Sequence, residues 1–211
     1  MLRKAITSAA LATICVLCST PVARALHVTG HVEPTTPLGQ YLGLSMTIDD
    51  AKTRFEITGP DFSFFAFAFD TTTMFGYALI VEGTDANRTV VEQNLQGIGQ
   101  PGSPQAIQNL SLINTIHDAA NNLTTVILER PNNTGDPNDP DFSPSMTALA
   151  LVWAYNSTAS PADPQPTLDY HGYGGRGFAT ITFIPEPGSA ALASCAAIAL
   201  ARLARKSGRR G

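Results

Sequence analysis

The sequence predicts an all-β fold, an antiparallel immunoglobulin-like β-sandwich, with a short apolar helix at each end. Gly, Pro, Asn and Asp punctuate the central chain at short intervals. Strand-like runs fill the gaps, and no long stretch repeats apolar residues every 3.6 positions. Short β-rich runs separated by turn residues point to a sandwich or barrel rather than a helical domain. The expected segments are 1–25 as a signal peptide, 26–184 as the sandwich and 185–211 as a C-terminal sorting segment.

The first segment has the three parts of a secretory signal. Arg3 and Lys4 supply the charge, Ala5 to Leu17 is apolar, and Ala23-Arg24-Ala25 offers small residues where a signal peptidase reads. The mature chain is then expected to begin near Leu26. Cys15 and Cys18 leave with the signal, and their CxxC lacks the following His that covalent haem attachment requires.

Seven runs read as strands: Tyr41–Ile48, Thr53–Thr58, Phe62–Phe69, Phe75–Val81, Leu123–Glu129, Met146–Ala154 and Phe178–Ile184. In the last, Phe178, Thr180 and Thr182 alternate with Ala179, Ile181 and Phe183, giving one wet and one buried face. In Leu123–Glu129 the run Val126-Ile127-Leu128 breaks the alternation and implies cover on both sides. Phe62–Phe69 puts Phe65, Phe67 and Phe69 on one face and Ala66 and Ala68 on the other. The ring wall suits either ordinary core, with a sheet laid on the Ala face, or an apolar cofactor pocket. Gln93–Asn109 and Pro131–Pro144 read as loops. The second carries Asp136, Asp139 and Asp141, oxygen ligands suited to Ca²⁺ but equally to a solvated turn, and it lacks helix-loop-helix calcium spacing.

Charge narrows the function classes. The chain of 211 residues has a net charge of −4, but its basic residues crowd the two ends. Between Leu26 and Ile184 stand five basic and sixteen acidic residues, a surplus of eleven negative charges. Nucleic acid and anionic membranes need a basic footprint, so neither is an expected partner.

The C-terminal segment runs Pro185-Glu186-Pro187, then an apolar stretch from Ala190 to Leu200, then an Arg-rich tail. It resembles the PEP-CTERM sorting signal of bacterial exported proteins. That resemblance implies a partner, an exosortase-type membrane protease that cuts near Pro187. It also implies transient anchoring by the apolar stretch, with the basic tail on the cytoplasmic side. The mature protein is then secreted or held at the cell envelope. Cys195 lies in the removable stretch, so the sandwich would hold without disulfides.

Catalytic signatures are scarce. The central chain has no cysteine, GxSxG, HExxH or GxxxxGK[ST], and Gly172-Tyr-Gly-Gly-Arg-Gly177 leads into a strand rather than a phosphate-binding helix. An enzyme in its own right is therefore not expected. Of the four His, His27 and His31 sit near the new N-terminus and His117 in an expected turn. His171 stands just before the last strand, in Leu168-Asp-Tyr-His-Gly-Tyr-Gly-Gly-Arg-Gly177.

From Gly39 to Phe183 the chain resembles the DOMON family, in its b-type cytochrome branch (the haem domain of cellobiose dehydrogenase). The motifs are Leu42-Gly-Leu-Ser-Met-Thr-Ile-Asp, Phe55-Glu-Ile-Thr-Gly-Pro before the aromatic strand, Met74-Phe-Gly-Tyr-Ala-Leu-Ile-Val81, Leu123–Arg130, Met146–Tyr155 and Tyr170-His171-Gly172. The resemblance implies one non-covalent haem b, with Met74 and His171 as its axial ligands. It also implies electron transfer with a redox partner that the sequence does not name. Phe65, Phe67, Phe69, Met146 and Trp153 are the expected pocket lining. The alternative is a haemless sandwich that binds extracellular polysaccharide or acts in the matrix, with Tyr170 and Tyr173 as the candidate sugar platform.

Overall fold

The computed structural model describes residues 27–34, 36, 40–84, 87–97, 102–169, 171–172 and 174–185. The signal segment, all but the first residue of the sorting segment, the three cysteines, Tyr170 and Tyr173 lie outside the described residues.

Eleven strands account for the regular structure among the described residues. They are β1 (Val28–Val32), β2 (Gly43–Ile48), β3 (Lys52–Pro60), β4 (Phe65–Phe69), β5 (Phe75–Thr84), β6 (Asn87–Gln96), β7 (Ser103–Pro104), β8 (Ser111–Asp118), β9 (Leu123–Pro131), β10 (Ala148–Tyr155) and β11 (Arg176–Pro185). They pair antiparallel throughout, in the order β7-β6-β5-β4-β10-β11-β1-β2-β3-β9-β8. The chain is all-β among the described residues.

The sheet curls so that its two halves face each other. Phe55 on β3 and Phe69 on β4 lie five strand places apart, roughly 24 Å across a flat sheet at about 4.8 Å per strand. Their ring centroids are nevertheless 5.5 Å apart, edge to face. Between the halves lies one core. Phe65, Phe67, Leu79, Leu151 and Ile181 come from one side, and Leu44, Met46, Phe55, Ile57 and Leu128 from the other. The three β4 rings therefore belong to ordinary core and not to a cofactor pocket. Met146, also expected in the pocket, packs against the same core.

The alternation expected of β11 is present. Ile181 and Phe183 are buried, while Phe178 stays 69% exposed. Val126, Ile127 and Leu128 on β9 are buried on both faces, as their unbroken apolar run implied.

Four strands were not legible as such. His31, expected near a loose N-terminus, lies on β1 and bonds Ser45 (2.7 Å) and Glu33 (3.0 Å). His117, expected in a turn, lies on β8, with Nδ1 2.8 Å from the Asp61 carboxylate. The stretch expected as a loop over 93–109 holds the end of β6 and the short β7 pairing beside it. On β6 the inward positions Arg88 and Glu92, either side of Val90, are polar, which hides the strand. Arg88 donates to the carbonyls of Ser63 (2.9 Å) and Pro60 (2.8 Å), and Glu92 accepts from the Tyr77 hydroxyl (2.6 Å).

The Asp-rich loop after β9 is a loop, but its central carboxylate turns inward. Asp139 accepts from Gln105 (2.7 Å) and Thr134 (2.6 Å) and lies 3.9 Å from the fully buried guanidinium of Arg130. That guanidinium sits 4.9 Å from the ring centroids of both Tyr77 and Phe142. Among the described residues, no three His, Cys, Asp or Glu side chains gather as a metal site.

Candidate functional site

Strand register decides what faces outward on the β6-β5-β4-β10-β11 half. Residues opposed in adjacent strands share a face. The pairing sets two parallel rows across this outer face. One runs Val91, Ile80, Ala66, Ala154, Arg176, and the next runs Gln93, Ala78, Ala68, Val152, Phe178. The middle of both rows is small and apolar. A solvated sheet face would carry polar side chains here, and alanine instead leaves room for a flat body to lie on the backbone.

Above these rows is a cavity of about 470 Å³, within the roughly 300–1,000 Å³ usual for ligand sites. Its floor is Ala66, Ala68, Ala78, Ile80, Val152 and Ala154, with Trp153 also in the lining. Ala68, Ala78 and Val152 form a small apolar cluster of their own, separate from the main core, with Leu95 packed against it. Phe64 and Leu168 close one side, and Gln93 and Leu95 another.

Met74 and His171 both line this cavity. They come from opposite ends of the strands. Met74 ends the turn from β4 to β5, at the end where Phe69 pairs with Leu151. His171 belongs to the long connection from β10 to β11, beyond Tyr155, where β10 pairs with the start of β4.

The connection that carries His171 is pinned along its length. Phe64 N–H donates to the Gln165 carbonyl (3.1 Å), Gln165 N–H to the Phe62 carbonyl (2.7 Å) and Gly83 N–H to the Pro166 carbonyl (2.9 Å). The Ser157 hydroxyl and amide both donate to the His171 carbonyl, at 3.0 and 3.2 Å. The His171 side chain is buried, and its Nδ1 lies 2.7 Å from the Gly172 carbonyl. A carbonyl only accepts, so Nδ1 carries the hydrogen, and in the neutral form of the ring the lone pair would lie on Nε2. That is the ordinary arrangement for a metal-ligating imidazole.

Two lining residues, Gln93 and Trp153, carry a buried polar atom with no hydrogen bond among the described residues. Gln93 Oε1 is buried and makes no hydrogen bond among the described residues. Gln93 projects on the cavity face, opposite Ala78. A buried unpaired amide oxygen costs about 1–3 kcal/mol, and a bound molecule with a donor would relieve it.

No protein-family model matches the chain, and no curated protein matches it. Solved structures similar to it include the cytochrome b domain of pyranose dehydrogenase from Coprinopsis cinerea. That likeness has 14% identity and a TM-score of 0.47, over 73% of this chain and 76% of that one. Another is the cytochrome domain of cellobiose dehydrogenase from Myriococcum thermophilum, at 12% identity and a TM-score of 0.47, over 72% and 88%.

Sequence reasoning missed Ala66, Ala68, Ala78, Gln93 and Leu95 as lining. The signal was present in the Ala face of Phe62–Phe69. Single alanines, however, carry no chemistry until pairing gathers them in one place.

Proposed function

We propose that the chain is an exported b-type cytochrome domain that binds one non-covalent haem through Met74 and His171 and serves extracytoplasmic electron transfer. The observation that carries this reading is the meeting of one thioether and one imidazole in one cavity over an alanine floor. The donor set fits the group. A soft thioether and a neutral imidazole are both iron ligands, and an apolar slot suits the buried face of a porphyrin.

Met74 and His171 would hold the haem, which would supply one-electron transfer with no coordination site left for O₂. The residues supply the rest. His171 presents Nε2 as its donor, and the Nδ1–H bond to Gly172 orients the ring and raises its basicity. Met74 supplies the weaker donor, which favours a higher potential. The alanine rows and Leu95 exclude water from the faces of the ring. Export and tail removal by a signal peptidase and an exosortase-type protease belong to the same proposal and rest on the sequence signals at the two ends.

An absorption spectrum of the purified full chain supplemented with haem tests this. Sharp α and β bands on reduction are expected from a six-coordinate cytochrome. A featureless visible spectrum overturns the proposal and leaves the haemless, polysaccharide-binding alternative.

A further inference from the structure

We propose that Arg176 is the anion anchor of this cavity and holds a carboxylate of the bound molecule, in a haem one of the propionates. The inference rests on the haem reading and deepens it by assigning the charged end of the ligand to one residue.

The first observation is one of pairing. The sandwich has five basic residues, and four of them have acidic partners. Lys52 lies 2.7 Å from Glu129, Arg54 3.2 Å from Glu56, Arg88 3.8 Å from Asp61 and Arg130 3.9 Å from Asp139. Arg176 makes no hydrogen bond or ion pair with any described residue, although sixteen acidic residues share its segment. A half-buried cation with no carboxylate partner among the described residues of so acidic a domain is placed for something else.

The second observation is position. Arg176 ends the row Val91, Ile80, Ala66, Ala154. It lines a second cavity of about 390 Å³ together with Thr72, Thr73, Gly177 and Phe178. Met74 and Val152 line both cavities, so the two adjoin at the candidate ligand. A flat body on the alanine rows would extend its edge toward Arg176, with the exposed Phe178 ring on the same face two residues along. The planar guanidinium fork matches a carboxylate through two parallel hydrogen bonds, and partial burial strengthens such a pair.

The test uses the full chain, titrated with haem and with its dimethyl ester, in which both carboxylates are blocked. Arg176→Gln is expected to weaken haem binding about tenfold, the weight of a charge-assisted hydrogen bond. It should leave ester binding unchanged. The natural chain should bind the ester less tightly than haem by the same factor, and Arg176→Lys should recover part of the loss. The reduction potential of Arg176→Gln should fall, because a positive charge beside the site favours the reduced form. An unchanged haem affinity in Arg176→Gln, or an equal loss for haem and ester, overturns the proposal while the haem reading stands. A natural chain with no haem spectrum overturns both.

Discussion

His171 is held by its own neighbour: its Nδ1 lies 2.7 Å from the carbonyl of Gly172, whose backbone is left-handed with φ of 70°. A Cβ at Gly172 would stand 2.3 Å from the Ser157 hydroxyl, which itself bonds the His171 carbonyl. Only glycine therefore lets one turn aim the imidazole and bind back to Ser157. Gly172→Val is expected to add about 1–3 kcal/mol of backbone strain and displace His171. A spectroscopic haem titration should show weaker retention with no ligand changed, and wild-type affinity in this variant would count against the role of the turn.

The two candidate ligands should differ in weight. His171→Ala removes the stronger donor and is expected to lose most of the haem, read from the visible spectrum. Met74→His should keep it at a lower potential, since imidazole stabilises ferric iron better than a thioether does. Potentiometry that finds the Met74→His potential unchanged would remove Met74 from the coordination sphere.

The alanine floor separates binding from stability. Ala66 lines the cavity and is only half-buried, so Ala66→Leu grows into open space instead of overpacking a core. The melting temperature should hold or rise while haem uptake falls sharply. Thermal melts and haem titrations on the same sample check both halves of the expectation.

Arg130 should matter to the fold rather than to the site. Its guanidinium is wholly buried between Tyr77 and Phe142, beside the equally buried Asp139. Arg130→Met leaves that carboxylate inside without its charge partner, at a cost of roughly 3–5 kcal/mol. Denaturant unfolding should show that loss, with part of it recovered in Arg130→Met/Asp139→Asn.

Acid should destabilise the domain through particular carboxylates. The Asn121 amide bonds Asp118 and holds its pKa below the ordinary 3.8. Hydrogen bonds from His31 and Tyr41 likewise hold Glu33 below 4.5. Partial burial pulls Asp49 upward, but the backbone amides of Lys52 and Ala51 outweigh it and leave it lowered. A lowered carboxylate stabilises the fold above its unfolded pKa, and that contribution is lost as pH falls through the folded value. Melting temperature should therefore drop below about pH 4, and Asp118→Asn should flatten the drop. The opposite sign applies to Tyr77, whose hydroxyl burial pushes well above the ordinary 10.0. Its contribution is present below pH 10 and lost above it, so alkaline melts should fall there too.

The class of fold and most of the strands were legible in the order of residues along the chain. Alternation in Phe178–Phe183, the aromatic stripe of Phe65, Phe67 and Phe69, and the turn residues between runs are local signals, and the physics of a pleated strand is local as well. Of the strands not legible there, β6 has polar side chains at two inward positions and β8 has both faces wet. Arg88 and Glu92 break the pattern of β6. β8 exposes both faces and carries a register shift between Leu112 and Asn114. Met74 and His171 were nameable from short motifs, but their approach to one cavity from opposite strand ends depends on which strands pair. The same holds for the alanine floor and for Arg176 at its edge. Each of those residues is unremarkable where it stands in the chain, and only the register of five strands gathers them on one face. Pairing is a long-range choice made by the whole core, and no local stretch of chain encodes it.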